Sequence, residues 1–248
     1  MKSNKLIFSI LSIIGLMFTA CVEPSVESLG ENDSSVVTYL PLIEITGGTE
    51  IELECDTETY TDPGAVASAG GTEIELVTTV KGTYFGGTEI TGTDIYSVSY
   101  SAYNDDGIPA AAFRNVTWPP CSGDLVSDIS GTYSVTSMTR TPGYTIEEPV
   151  GPILITKLDN GDYAISDAIG GWYEYEYGYG PKYAAKGSTL TANDISANSF
   201  TLNNTVPTLP WGGDLSIDEF SVDAAAGTIS VKISWSLGYV WEYTMTQL

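Results

Sequence analysis

The densest chemistry in the chain lies in Gly171-Trp172-Tyr173-Glu174-Tyr175-Glu176-Tyr177-Gly178-Tyr179-Gly180-Pro181-Lys182-Tyr183, where aromatic rings alternate with carboxylates. Side chains alternate between the two faces of a strand, so an extended segment here puts Tyr173, Tyr175, Tyr177 and Tyr179 on one face and Trp172, Glu174 and Glu176 on the other. Exposed rings of this kind stack against the flat C–H faces of sugars, while neighbouring carboxylates accept hydroxyl hydrogen bonds. At a barrel mouth the same side chains hold a small amphipathic ligand. Buried, the tyrosines simply fill a barrel interior, since strands favour aromatics. The glycines at 170, 171, 178 and 180 favour an irregular, partly exposed segment. Trp211, in the Leu209-Pro210-Trp211-Gly212-Gly213 loop, is a second stacking candidate, whereas Tyr239, Trp241 and Tyr243 share one face of a terminal strand and are expected in the core.

Other chemistries are poorly served. Histidine is absent, which removes the commonest general base, the commonest metal ligand and every Ser-His-Asp or Cys-His arrangement. Two carboxylates suffice for glycoside hydrolysis, but no pair is marked out among 32 acidic residues, so a non-catalytic protein is expected. Asn104-Asp105-Asp106 and Asp159-Asn160-Gly161-Asp162 lack a calcium-loop signature and are expected as hairpin turns, with no metal or cofactor implied. The formal net charge of −23 disfavours nucleic acid and anionic membrane as partners.

The first residues specify export. Lys2 and Lys5 precede the apolar run Leu6 to Phe18, which is too short to span a bilayer, and Thr19-Ala20-Cys21 follows. Residues 1–20 are therefore expected as a signal peptide. The Phe18-Thr19-Ala20-Cys21 sequence resembles a lipobox, which makes Cys21 the lipidated first residue of the mature chain, anchored through acyl chains worth about 0.8 kcal/mol per buried methylene. Loss of residues 1–20 takes two lysines and no acid, leaving 7 basic against 32 acidic side chains, a net −25. Residues 21–38 are too polar to pack and are expected as a flexible tether. Cys55 and Cys121 remain, either bonded, as an exported protein allows, or as two buried thiols.

The elements that must position these residues are strands. Thr49 to Cys55 alternates with Ile51, Leu53 and Cys55 on one face. Thr72 to Val80 repeats the pattern, and Tyr96, Val98, Tyr100 and Ala102 share a face of Asp94 to Tyr103. Glycine-rich turns separate them. Beyond the Trp118-Pro119-Pro120-Cys121-Ser122-Gly123 break, Gly131–Val135, Ile153–Thr156, Asp162–Ser166, Ser199–Leu202 and a terminal hairpin around Leu237-Gly238 read as further strands. The fold class is all-β: an immunoglobulin-like β-sandwich over residues 39–119, then an antiparallel β-barrel or lipocalin-like β-domain over 120–248.

Two resemblances accompany this pattern. Tyr60-Thr61-Asp62-Pro63-Gly64-Ala65, the Tyr96-x-Val98-x-Tyr100-x-Ala102-x-Asn104-x-x-Gly107 run and Arg114-x-Val116 resemble the bacterial surface immunoglobulin-like domain also found in pesticidal crystal proteins. That family usually has Asp at the place of Asn104 and Gly near Asp94-Ile95, so the resemblance implies the fold and no metal site. Ser130-Gly131-Thr132-Tyr133, Ile165-Ser166-Asp167-x-x-Gly170-Gly171-Trp172-Tyr173 and the closing hairpin are similar to the C-terminal domain of gut Bacteroidetes lipoproteins, often encoded with glycan-uptake systems. The resemblance implies a cell-envelope lipoprotein with a glycan connection. Together with the anchor, the two β modules and the tyrosine-rich segment, it leads to the expectation of an outer-membrane lipoprotein that binds oligosaccharides, the alternative being an assembly protein contacting an outer-membrane transporter or other envelope protein. The residues after Cys21 lack the dense acidic run of a surface-export signal, which leaves the periplasmic and external faces both open.

Overall fold

The computed structural model describes residues 37–203 and 209–248. The expected signal peptide, the lipidation at Cys21 and residues 21–36 of the tether lie outside them. Seven strands make the first half: β1 (Pro41–Ile45), β2 (Glu50–Glu52), β3 (Ala65–Ala69), β4 (Thr72–Glu73), β5 (Leu76–Gly82), β6 (Asp94–Tyr103) and β7 (Pro109–Trp118). They form a three-stranded sheet, β1-β3-β4, and a four-stranded sheet, β2-β7-β6-β5, in which β2 runs parallel to β7. The alternation predicted for β6 is present: Tyr96, Val98, Tyr100 and Ala102 are all buried. Tyr96, Val98 and Tyr100 meet Val116 and Trp118 of β7 and, from the other sheet, Ile43, Ile45 and Ala65. The single strand expected over Thr72–Val80 is two strands, because β4 pairs with β3 in one sheet and β5 with β6 in the other, so the chain changes sheets at Ile74-Glu75.

One motif of the first half is a brace. Asp62 accepts from Arg114 Nη1 at 2.5 Å, from Tyr100 Oη at 2.5 Å and from the Gly64 amide at 2.7 Å. Arg114, with no exposed surface, also donates to the carbonyls of Gly48, Gly64 and Thr46. A buried guanidinium is tolerable only when paired and hydrogen-bonded in this way. The Tyr60–Ala65 and Arg114–Val116 motifs are therefore two halves of one structural contact. Asn104 is likewise structural, accepting from the Ile108 amide across its hairpin turn and donating to the Tyr39 carbonyl.

The second half contains β8 (Gly131–Thr141), β9 (Thr145–Ile146), β10 (Val150–Lys157), β11 (Tyr163–Ile165), β12 (Thr189–Asp194), β13 (Ser199–Asn203), β14 (Leu215–Asp223), β15 (Thr228–Trp235) and β16 (Tyr239–Gln247). Their order, β13-β12-β11-β10-β8-β16-β15-β14 with β9 beside β8, is antiparallel throughout and curls into a nearly closed barrel. At the seam between β13 and β14, Asn198 exchanges two hydrogen bonds with the Val222 backbone, and the Phe200 and Phe220 rings meet at 4.9 Å. Closure leaves little free edge. Alternating Ile229, Val231, Ile233 and Trp235 of β15 face inward with Trp241, Tyr243 and Met245 of β16, each fully buried side chain contributing about 1.5–3 kcal/mol.

Tyr39–Leu248 forms one compact unit. Cys55 and Cys121 are joined by a disulfide, with Cα atoms 4.9 Å apart, tying the turn after β2 to the connector before β8. Tyr84, from the loop between β5 and β6, packs on Leu154 and Ala184 of the barrel half. Its hydroxyl donates to Glu174 Oε1 at 2.6 Å and lies 3.0 Å from that of Tyr175.

Candidate functional site

The segment Trp172–Tyr179 does not take the extended form that would place its four tyrosines on one face. Trp172–Glu176 makes a turn of π-helix and Pro181–Tyr183 a turn of 3₁₀-helix, within the long connection from β11 to β12. The physical reason is the pair Gly170-Gly171, at φ 65° and 81°, conformations that turn the chain out of the extended region and that L-residues rarely adopt. A side chain would also be crowded at both positions. A Cβ on Gly171 would fall 2.7 Å from the Tyr175 ring, and one on Gly170 3.2 Å from that of Tyr243. The wide turn then pairs residues four and five apart: the Tyr175 amide donates to the Gly171 carbonyl, four back, and the Tyr177 amide to the Trp172 carbonyl, five back.

Asp167 ties the two ends of this excursion together. Its Oδ1 accepts from the Ile169 amide at 3.0 Å and from the Ala185 amide at 2.9 Å. The side chain has no exposed surface, and burial pushes its pKa up to about 7, against the pull of those amides and with a further push from Glu174. Burial also raises Glu174, while the Tyr84 hydrogen bond and Lys186 oppose it.

Because the segment is helical, its aromatics separate by role. Trp172 is fully buried, 4.9 Å from the Tyr144 ring and with the Arg140 guanidinium 4.9 Å above its own ring. Tyr175 turns toward Tyr84 at the junction with the sandwich. Tyr173, only 7% exposed, forms the floor of a ring cluster, 4.6 Å from Trp211, 5.5 Å from Tyr177 and nearly parallel to Tyr179. Burial raises its hydroxyl pKa against the influence of Arg140. Above this floor Tyr179 is 51% exposed and Trp211 47%, with half-buried Tyr183 between them at 5.2 Å from each. The structure thus assembles Tyr173, Tyr177, Tyr179 and Trp211 at one end of the barrel, buries Trp172 against Tyr177 with ring centroids 5.9 Å apart, and turns Tyr175 toward Tyr84.

The Trp211 loop is held from beneath. Leu209 is buried, the Gly212 amide donates to the Leu209 carbonyl at 2.9 Å, and the Trp235 indole donates to the Gly212 carbonyl at 3.1 Å. Arg140 of β8 lies over Trp172, Tyr177 and Tyr239 at once, fixing these rings by cation–π attraction. The Tyr144 hydroxyl donates to exposed Glu176 at 3.2 Å. Tyr183, Arg140 and Tyr144 are the residues that strand periodicity could not pick out. Tyr183 had a local signal, following Gly180-Pro181, but the other two reach the cluster only through barrel closure. This end of the molecule presents a preformed, aromatic-floored surface with carboxylate and hydroxyl groups at its rim, suited to stacking a flat, hydroxylated ligand. Among the described residues no group of His, Cys, Asp and Glu is arranged to hold a metal ion, and no helix is long and apolar enough to cross a membrane.

Residues 122–247, just over half of the chain, match the model of a protein family described as a "-like, C-terminal domain". The fold is similar to the crystal structure of the lipoprotein BT2262 from Bacteroides thetaiotaomicron, with a TM-score of 0.54 and 26% sequence identity over 84% of this chain and all of that one. No curated protein matches the sequence.

Proposed function

The chain belongs to this C-terminal-domain family, and we propose that it is a lipid-anchored outer-membrane protein that binds an oligosaccharide at the aromatic end of its barrel without transforming it. The observation that carries the reading is the exposed pair Tyr179 and Trp211, held over buried Tyr173 by a clamped loop. Rigid aromatics that are already ordered lose little entropy on binding, so their contact area converts efficiently into affinity. Support for the anchor comes from the Cys21 lipobox and from the similarity to a Bacteroides lipoprotein. The N-terminal sandwich, read as immunoglobulin-like, serves as a spacer.

Affinity electrophoresis of the full-length protein in detergent, through gels containing a broad panel of polysaccharides, tests the reading. At least one polysaccharide should retard the protein, and Trp211→Ala should weaken that binding about tenfold or more, as for a central aromatic of an interface. Failure of the whole panel to retard it contradicts the reading.

A second reading, an assembly protein docked on an outer-membrane partner, is favoured by Leu42 and Val66. Both are more than half exposed and are diagonal neighbours on the outer face of the β1-β3-β4 sheet. Crosslinked pull-downs from envelope fractions separate the two, because the second reading requires a stoichiometric protein partner that is indifferent to Trp211→Ala.

A further inference from the structure

Cations are scarce in this chain, and their placement is informative. Among the described residues, Arg114 is committed to Asp62, Arg140 lies against three rings, Lys157 sits over Tyr163, and Lys232 pairs with Glu242 and Glu219. The remaining three, Lys81, Lys182 and Lys186, line a single open cleft of about 460 Å³ between the sandwich and the barrel. Thr83 and Ser97 supply hydroxyls to the same walls, and no carboxylate lines it, in a protein with 32 acidic residues.

The cleft is built by both halves. Lys81 of β5 stands opposite Ser97 of β6 in register, while Lys182 belongs to the 3₁₀ turn and Lys186 follows it. Lys186 is fixed, donating to the Thr83 carbonyl at 2.5 Å with its ammonium 5.3 Å from the centre of the Tyr84 ring. Lys81 and Lys182 are exposed and form no ion pair among the described residues. Burial holds Lys186 below its ordinary pKa, with Glu174, Asp94 and Asp167 opposing that effect and Lys81 adding to it. Those carboxylates stand outside the cleft lining; Glu174 Oε1 accepts from the Tyr84 hydroxyl, and Asp94 from the Tyr84 and Phe85 amides.

Lys182 is the immediate neighbour of Tyr183, whose ring touches Trp211 and Tyr179, so the cleft and the aromatic surface share one turn of chain. We propose that the lysine cleft is an anion subsite that takes the carboxylate or sulfate group of an acidic sugar unit in the same oligosaccharide that stacks on Trp211. The proposal rests on the oligosaccharide reading and narrows its ligand to acidic glycans. Lysine ammoniums suit this task as point charges, accepting either anion without the fixed bidentate geometry of arginine.

Calorimetry on the full-length protein in detergent tests it with neutral, uronate-containing and sulfated oligosaccharides, using the wild type, a Lys81→Gln/Lys182→Gln variant and Trp211→Ala. The expected result is preference for one acidic family, which identifies the anion. Binding should weaken about tenfold in the double-lysine variant, the scale of a hydrogen bond to a charged group, with loss also in Trp211→Ala. Binding confined to neutral sugars, lost in Trp211→Ala and untouched by the lysine changes, overturns the subsite and leaves the aromatic reading standing. Acidic-sugar binding that needs the lysines and ignores Trp211 overturns the shared ligand and the aromatic reading together, as does no binding in any arm.

Discussion

Asp167 shows how one buried side chain shapes the site. The folded protein retains its proton up to about pH 7, against an ordinary value of 3.8. Between those values the native state binds more protons than the unfolded chain, so this group lowers stability progressively as pH rises and adds no further slope above about 7. Asp167→Asn keeps the acceptor for the Ile169 and Ala185 amides and removes the titration. Its urea-unfolding stability relative to wild type should therefore rise with pH from about 4 to 7, and a difference independent of pH contradicts the assignment. Asp62 has the opposite sign. Burial works against its charge, but the Tyr100 and Arg114 hydrogen bonds hold its pKa below the ordinary value, so its stabilisation is present above that value and is lost as acid protonates it. Arg114→Ala leaves that carboxylate without its cation and should cost about 3–5 kcal/mol in denaturant unfolding. An unchanged midpoint would show that the brace is dispensable.

The π-helical turn is the element on which the aromatic surface depends, and it is also where period-two reasoning fails. Perfect alternation from Tyr173 to Tyr179 reads as a strand, yet the preceding glycines at positive φ turn the chain before pairing can begin. Where no such interruption occurs, as in β6 and in the β15–β16 hairpin, alternation in the sequence and alternation of burial agree. Trp211 was legible as exposed because proline and glycines surround it. That Tyr173 and Tyr183 pack on it was not legible, since the two segments are brought together by long-range strand pairing. Gly171→Ala tests the turn. It should cost about 1–2 kcal/mol for the left-handed backbone and displace the Tyr175 ring, which a Cβ would approach to 2.7 Å. Near-ultraviolet circular dichroism should lose aromatic signal while the far-ultraviolet β signal persists. An unaltered aromatic spectrum would mean that the turn does not depend on these glycines.

For the whole molecule, the sandwich and barrel are linked by a disulfide and by the Tyr84–Glu174–Tyr175 contact. The Cys55–Cys121 bond closes a loop with a sequence separation of 66 residues. Cys55→Ala/Cys121→Ala should lower stability by about 4 kcal/mol on the chain-entropy estimate, measured by urea unfolding. The same stability in the two proteins would show that the packed core suffices. All-β architecture and a barrel were readable from strand spacing, whereas the lysine cleft, drawn from residues about a hundred positions apart, was not. The tryptophans offer a direct probe of oligosaccharide binding at the aromatic end. Of the five, Trp118, Trp172, Trp235 and Trp241 are buried and Trp211 alone is exposed. Iodide should therefore quench a single tryptophan population, that population should vanish in Trp211→Ala, and a polysaccharide that retards the protein should shield it. Undiminished quenching at saturating polysaccharide would mean that the ligand does not sit on Trp211.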